Sequence, residues 1–240
     1  MISIPSRQVH LDFHTSEHIP GVGAGFSRAN FQDALKLGRV NSITVFAKCH
    51  HSWSYYPTRV GMRHPTLERD LLGEWIEASH EVGVRAPVYY TVGWSATDAE
   101  LHPEWVARHR DGSPAARNFD PAAKLDDPKP PVSWKFLCPS GDYRELMLEQ
   151  TREICSLYEV DGFFFDICFQ TVCFCPACRS GMARAGLDPE HGEQAREWHA
   201  RTWQSFVAAA TAHDPRARYA SGRDFLTALA GYERKHVGPQ

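Results

Sequence analysis

The chain has 240 residues, of which 42% are hydrophobic and 23% are charged, a composition typical of a globular protein with room for one large core. The net charge of −3 excludes the basic balance of a nucleic-acid-binding protein. No stretch approaches the roughly 18 apolar residues that span a bilayer, which argues against a membrane partner. Seven cysteines without a signal peptide predict a cytoplasmic protein with reduced thiols, and a homo-oligomer is compatible with this composition.

Apolar segments alternate with amphipathic helical segments along the chain. The predicted strands are Val9–Phe13, Asn41–Lys48, Arg85–Val92, Val160–Phe169 and Ala217–Ser221. The predicted helices are Arg28–Leu37, Thr66–Val82 with Thr66 as its cap, a short helix His102–Arg110, Arg144–Tyr158, Ala195–Ala212 and one beginning at Asp224. The predicted buried stripe of the helix Thr66–Val82 consists of Leu67, Leu71, Leu72, Trp75, Ile76 and Ser79. This order predicts parallel strands joined by right-handed helical crossovers.

The predicted fold class is α/β, a TIM-type (β/α) barrel that is incomplete. A closed barrel of this type needs eight units, and the sequence supplies about five. We expect a single catalytic domain over residues 1–240. It is either truncated at its carboxyl end or completed by an arrangement that the pattern does not specify.

Polar and aromatic side chains follow directly after the predicted strands. They are His14, His50, His51, Trp53, Tyr89, Tyr90, Trp94, Asp166 and Arg223. Because the carboxyl ends of barrel strands meet on one rim, these side chains are expected to line one pocket. One carboxylate, several hydrogen-bonding rings and several tryptophans suit a carbohydrate, whose hydroxyls need partners and whose ring needs an apolar wall.

Several sequence motifs carry a resemblance to a known group of enzymes. The segment AKCHHSWSYYPTRVG resembles the Lys-His-His segment of α-L-fucosidases. The chain as a whole resembles the N-terminal part of the catalytic barrel in a predicted glycoside hydrolase group related to family 151 and family 29 α-L-fucosidases. The other matching motifs, in chain order, are DFHTSEH, HPTLERDLLGE, APVYYTVG, HPEW, LCPSGDYRE, DGFFFDICF and CFCPACR.

This resemblance implies a retaining, α-L-fucosidase-like glycoside hydrolase without a catalytic cofactor. Asp166 matches the acid after the fourth strand and would be the nucleophile. The resemblance gives substrate-binding roles to His14, His50, His51, one of Tyr89 and Tyr90, and Arg223. The structural alternatives are that Asp166 caps a helix or pairs with a buried base, that His50 and His51 are loop histidines without a role in binding, and that His10, Asp12 and His14 form a core network.

A retaining glycosidase needs a second carboxyl group as acid and base. Glu233 is the nearby candidate, although a glutamate beside Arg234 and Lys235 is typical of a solvated helix end. Loss of the acid would remove a contribution of about 10²–10⁴-fold. An inactive carbohydrate-binding relative or fragment is therefore the first alternative. A metal-dependent, amidohydrolase-like enzyme using Asp12 and His14 is the second.

The cysteines form a separate motif, Cys173-x-Cys175-x-x-Cys178, at metal-ligand spacing. A structural zinc site needs one more thiolate. Cys138 is the preferred fourth ligand and Cys168 is the other option. A similar pairing binds structural zinc in family 42 β-galactosidases. The alternative is a set of reduced thiols without metal.

Overall fold

The computed structural model of the protein describes residues 5–117, 134–168 and 171–211. The strands are β1 (Gln8–His10), β2 (Ser42–Lys48), β3 (Trp53–Ser54), β4 (Met62–Arg63), β5 (Val88–Thr91), β6 (Ala116–Arg117), β7 (Trp134–Lys135) and β8 (Phe163–Asp166). The helices are α1 (Arg28–Leu37), α2 (Leu71–His80), α3 (Ala96–Leu101), α4 (Asp142–Leu157), α5 (Pro176–Arg184) and α6 (Gly192–Thr211). In these ranges no helix combines the length and apolar character needed to cross a bilayer.

The main sheet contains four parallel strands whose spatial order follows the chain. β1 pairs with β2, β2 with β5, and β5 with β8, all in parallel register. The short strands β3 and β4 extend the sheet beyond the end of β2. Sequential parallel strands with helical crossovers are the arrangement found in (β/α) barrels. The predicted α/β class is confirmed, and the incomplete barrel stays consistent with it. The predicted strand Ala217–Ser221 lies outside the described residues.

The two faces of this sheet have different neighbours. On the outer face, the Tyr90 hydroxyl donates to Gln150 of α4 at 2.8 Å, and the Phe165 ring packs against Phe206 of α6. On the inner face, the rings of Phe46 and Tyr89 stack with their centroids 3.9 Å apart. The helices therefore cover the outer face, while the inner face carries an aromatic layer.

Strand β2 gains one residue relative to β5 near its carboxyl end. Phe46 is opposite Tyr89, but Lys48 is opposite Tyr90, so Ala47 is an extra residue that shifts the register. Such a bulge moves the following side chain to the other face of the strand. The Lys48 ammonium accordingly lies 5.5 Å from the centroid of the Tyr90 ring, on the outer face.

Helix α2 begins later than predicted. Asp70, not Thr66, is its N-cap, and its carboxylate accepts the Gly73 N–H at 2.9 Å. The Thr66 hydroxyl donates instead to the Ile19 carbonyl at 2.9 Å. The prediction of a Thr66 cap is therefore wrong, because the hydroxyl is used to hold the loop before α1. The predicted apolar stripe is confirmed, since Leu71, Leu72, Trp75, Ile76 and Ser79 are buried.

The predicted short helix His102–Arg110 is also wrong. Helix α3 precedes it, and only a single 3₁₀ turn, Pro103–Trp105, falls within the predicted range. Proline has no N–H to donate, so it begins a new turn and does not continue α3. Val106 then forms an antiparallel bridge with Leu137.

Three strands, β1, β5 and β8, are shorter than predicted by two residues or more, with β5 reduced to Val88–Thr91, and helices α3 and α5 were not predicted. β8 covers four residues because Gly162 and Ile167 both have positive φ, 140° and 64°, and end the extended backbone. β1 covers Gln8–His10, since Phe13 turns away to pack on Trp75 of α2. Helix α5 begins at Pro176, a residue favoured in the first helical position.

Candidate active site at the carboxyl ends of the strands

Asp166 lies at the last position of β8 and is held there by β5. Its carbonyl accepts the Val92 N–H at 3.1 Å and the Gly93 N–H at 3.4 Å. Its carboxylate accepts the Tyr89 hydroxyl at 2.7 Å through Oδ2 and the Ile167 N–H at 2.9 Å through Oδ1. These bonds hold the carboxylate in place, and the residue is only half-buried, which leaves it within reach of a ligand.

The chain turns sharply just after Asp166. Ile167 has a φ of 64°, which is costly for a β-branched residue. Gly93 allows this turn, because a Cβ at Gly93 would stand 1.9 Å from the Ile167 carbonyl oxygen. A close approach of two backbones therefore fixes the direction in which the Asp166 side chain leaves the strand.

Two histidines stack beside this carboxylate. The rings of His14 and His50 are 3.6 Å apart and nearly parallel, and the His14 ring centroid is 5.5 Å from that of Tyr89. The His50 backbone N–H donates to His14 Nδ1 at 3.4 Å, and His14 Nε2 lies 3.0 Å from Asp12 Oδ1. Nδ1 acts as an acceptor, so the proton of neutral His14 resides on Nε2, facing Asp12.

The histidines of this region are neutral near pH 7. Burial lowers the pKa of His14 to about 4, against the opposing charge of Asp12. Burial, with neighbouring His14 and His51, lowers the pKa of His50 to about 3. Burial also lowers the pKa of His51. A neutral imidazole offers one donor and one acceptor, which is what a sugar hydroxyl requires.

The remaining predicted site residues fall in different places. The Trp94 ring lies 6.2 Å from that of His50 and 5.7 Å from that of Phe136, so it stands beside the histidines. Trp53 lies farther out, with its indole N–H donating to Glu17 at 3.3 Å. Tyr90 is fully buried on the outer face, away from Asp166. Tyr89 is therefore the tyrosine of this pair that contacts Asp166. Arg223 and Glu233 lie outside the described residues.

A buried ion pair behind the histidines was not predicted. Lys48 Nζ and Asp98 Oδ2 are 2.6 Å apart, and their side chains are only 1% and 7% exposed. The Ser95 hydroxyl also donates to Asp98, and the Asp98 backbone N–H donates to Ser52 Oγ at 2.9 Å. The sequence signal that could have revealed this pair is Lys48 at the end of an apolar strand, since a fully buried lysine almost always has a partner.

Hydrogen bonds near this ion pair connect two loops of the site. The Ala96 N–H donates to the His50 carbonyl at 2.9 Å, and the Thr97 hydroxyl donates to the His51 carbonyl at 3.0 Å. The hydroxyls of Ser52 and Ser95 are 2.7 Å apart. The loop that carries His50 and His51 is thereby fixed to the loop that follows β5 and carries Trp94.

Four cysteines converge beyond Asp166. The Sγ atoms of Cys138, Cys173, Cys175 and Cys178 all lie within 4.8 Å of one another, and all four residues are buried. Cys168 lies outside this group, with its Sγ 3.8 Å from the Phe165 carbonyl. Of the two options for a fourth thiol, the geometry therefore favours Cys138.

A profile for the family described as "Hypothetical glycosyl hydrolase 6" matches residues 27–167, which include His50, Tyr89 and Asp166. Among solved structures, the chain is similar to α-L-fucosidase isoenzyme 2 from Paenibacillus thiaminolyticus, with 39% identity and a TM-score of 0.79. The alignment covers 90% of this chain and 32% of that enzyme. The chain thus spans about a third of the length of this relative.

Two further structures are less similar. A hypothetical protein from Ruminiclostridium thermocellum shares 13% identity over 77% of this chain and 89% of its own, with a TM-score of 0.47. The Thermotoga maritima α-fucosidase in complex with fucose shares 16% identity over 75% of this chain and 34% of its own, with a TM-score of 0.41. These identities and TM-scores are too low to support an inference about this chain. No curated protein matches the chain. Because the profile matches residues 27–167, which are more than half of the chain, the chain belongs to the hypothetical glycosyl hydrolase 6 family.

Proposed function

We propose that the protein is a retaining glycoside hydrolase of the α-L-fucosidase type, with Asp166 as its nucleophile. The observation that carries this proposal is the Asp166 carboxylate at a strand end, fixed by Tyr89 and Ile167 and bordered by neutral histidines. The 39% identity with an enzyme named α-L-fucosidase supports an α-L-fucoside as substrate.

The geometry around Asp166 suits a nucleophile. Among the residues that the structure describes, each carboxylate oxygen accepts one protein hydrogen bond, and an ionised carboxylate has about four acceptor sites. Lone pairs therefore remain for attack on the anomeric carbon. The Tyr89 hydroxyl and the Ile167 N–H restrict rotation of the carboxylate, which keeps its reactive oxygen oriented.

In the proposed reaction, an Asp166 oxygen bonds to the anomeric carbon while the bond to the leaving-group oxygen breaks and that oxygen takes a proton from the acid. Water, deprotonated by the same group, then attacks the anomeric carbon and releases Asp166, so configuration is retained. The acid should stand about 5–5.5 Å from Asp166. Glu233 stays a prediction for this role.

The neutral rings supply substrate contacts in this proposal. His50 and His51 bind sugar hydroxyls as combined donors and acceptors, and the His14 Nε2–H donates to a sugar hydroxyl in place of the exposed Asp12 carboxylate. Trp94 covers an apolar face of the sugar. A site built to bond a hydroxyl discriminates strongly against an analogue that lacks it, because its buried polar groups are then left unpaired. We infer that selectivity among sugar epimers resides in this histidine group.

A panel of aryl glycosides tests the activity. We expect turnover of the α-L-fucoside, and its loss by about 10⁴-fold or more in Asp166→Ala, as for other removed nucleophiles. Asp33→Ala, an exposed acid on α1, is the matched control and should keep full activity. Added azide should rescue Asp166→Ala and give a fucosyl azide of inverted configuration.

The possible outcomes separate the candidate functions. A folded Asp166→Ala variant with unchanged turnover would overturn the assignment of the nucleophile. Fucose binding by the protein without any turnover would identify a non-catalytic carbohydrate-binding relative. The metal-dependent alternative has no support in the described ranges, where the side chains grouped closely enough to hold an ion are the four cysteines, not Asp12 and His14.

A further inference from the structure

The four clustered thiols have the spacing of a tetrahedral metal cage. Cys138 Sγ is 3.4 Å from Cys178 Sγ and 3.7 Å from Cys175 Sγ, and all four sulfurs lie within 4.8 Å of one another. Zinc–sulfur bonds of about 2.3 Å in a tetrahedron place the sulfurs about 3.8 Å apart. A disulfide needs a separation of about 2 Å, and all four cysteines are free thiols.

Backbone N–H groups and a helix N-terminus surround the sulfur atoms of this cage. Cys173 Sγ accepts two backbone N–H groups, from Arg108 and Cys175, each at 3.4 Å. Cys175 is the N-cap of α5 and Cys178 lies in its first turn, where the helix dipole favours negative charge. Such outer contacts orient metal ligands and stabilise their charged form.

The backbone of the cage is held in place by protein contacts alone. The Phe174 N–H, between two of the cysteines, donates to the Arg108 carbonyl at 2.8 Å. The guanidinium groups of Arg110 and Arg179 lie 4.6 Å and 5.6 Å from the centroid of the Phe174 ring. Both arginines also pair with Glu190. The ligands are thus preorganised before any ion enters.

We propose that Cys138, Cys173, Cys175 and Cys178 bind one structural zinc ion. Four thiolates fill the tetrahedral shell and leave no open position, so the ion takes no part in the reaction itself. Its binding displaces the thiol protons to solvent and replaces four buried S–H groups by four Zn–S bonds.

The zinc also supports one wall of the candidate active site. The residue before Cys138, Leu137, donates its N–H to the Gly93 carbonyl at 2.9 Å, and Phe136 bridges to Trp94. Cys173 belongs to the segment that follows Asp166. The ion therefore joins the segment that follows β8 to the segment Phe136–Cys138, which bridges to Trp94.

Elemental analysis of the whole protein, purified without a metal-affinity column, tests this proposal. We expect one zinc per chain in the native protein. The variant Cys175→Ser should lose the zinc, and Cys155→Ser should keep it, because Cys155 lies on α4 outside the cage. Exchange with Co²⁺ should produce the visible absorption of tetrahedral cobalt thiolate in the native protein and in Cys155→Ser only.

Measurements on the native protein decide the question even where Cys175→Ser does not fold. A strong chelator should release the zinc, expose additional thiols to a titrating reagent and lower the melting temperature, and added zinc should reverse all three. Native protein that contains no zinc, or that holds iron in its place, would overturn the proposal. None of these readouts depends on turnover, so they are independent of the proposed glycosidase activity.

Discussion

Two polar clusters lie at the carboxyl ends of β2 and β5, on opposite faces of the sheet, and they differ in how their groups are bonded. The rim cluster consists of His14, His50, Tyr89 and Asp166. The buried cluster consists of Lys48, Ser52, Ser95 and Asp98. In the buried cluster, Lys48 and Asp98 form an ion pair, the hydroxyls of Ser52 and Ser95 bond to each other, and the paired side chains are almost completely buried. In the rim cluster, His14 and Asp166 remain partly exposed.

This difference separates the part of the site that binds from the part that supports it. A buried polar network must be satisfied internally, because an unpaired charge in the interior is very costly. Hydrogen-bonding capacity that is left toward solvent can be used by a ligand. We therefore expect substitutions in the buried cluster to reduce stability and substitutions in the rim cluster to reduce activity.

The largest effect on stability is expected from Asp98→Ala. Removing this carboxylate leaves the Lys48 ammonium buried without its partner, which should lower the free energy of unfolding by about 3–5 kcal/mol. Urea unfolding provides the measurement. Glu197→Ala, which removes a partner of the more exposed Arg201 on α6, is the control and should cost less than about 1 kcal/mol. Equal losses in the two variants would contradict the distinction between the clusters.

Substitutions of the neighbouring tyrosines of β5 compare the two faces of the sheet directly. Tyr89→Phe removes a hydrogen bond to the Asp166 carboxylate, and such bonds contribute about 1.5–3 kcal/mol, so kcat/KM should fall by about ten- to a hundred-fold. Tyr90→Phe removes the bond to Gln150 on the outer face and should cost about 1 kcal/mol of stability with unchanged kcat/KM. Steady-state kinetics and urea unfolding of both variants check this, and a reversed pattern would refute the assignment of faces.

Gly93→Ala should affect both properties, since Gly93 contacts the turn after Asp166. The added methyl group meets the Ile167 carbonyl, and such overpacking typically costs about 1–3 kcal/mol. The backbone of β8 must shift to accommodate it, so kcat/KM should fall as well. Gly25→Ala is the control, because a Cβ at Gly25 would meet no atom within 4 Å apart from its chain neighbours. Unchanged kinetics in Gly93→Ala would show that the close approach does not position Asp166.

A pH dependence of stability is expected from the rim histidines. The ordinary pKa of 6.5 falls to about 4 for His14 and about 3 for His50 on folding. Between these values the unfolded chain binds more protons, so stability is full above pH 6.5 and decreases as the pH falls towards 4. Each histidine contributes a slope of at most about 1.4 kcal/mol per pH unit.

Urea unfolding at several pH values measures this slope. His50→Gln should flatten it relative to the native protein, because glutamine does not titrate. His18→Gln, at an exposed position, should leave it unchanged. A slope that is the same in all three proteins would show that His50 carries its proton equally in the folded and unfolded states.

Much of the fold followed from the sequence because periodicity and order are local signals. The alternation of strands and helices predicted parallel pairing, and the buried stripe of α2 was predicted correctly from Leu71 to Ser79. The ends of helices were harder to predict, because a side-chain hydroxyl near a helix end can bond to several different partners. The Thr66 hydroxyl bonds to the Ile19 carbonyl, so Asp70 caps the helix in its place. This outcome depends on a loop that is distant in sequence.

The candidate site was predictable as a set of residues but not as an arrangement. Asp166 and the two histidine positions stood out by their place after strands. Which of Tyr89 and Tyr90 contacts Asp166 depends on the register of β5 with β8, and the pairing of Lys48 with Asp98 depends on a bulge. Both are long-range features, and no local pattern specifies them.

The extra residue in β2 has a consequence for exchanging parts between related enzymes. A chimera in which Ala47 paired opposite Tyr90 in regular register, without the bulge, would turn Lys48 to the inner face of the sheet. Its ammonium would then enter the aromatic layer formed by Phe46 and Tyr89, leaving Asp98 unpaired. The transferable module therefore begins at Phe46, and its boundary is set by Ala47, a small, buried apolar residue.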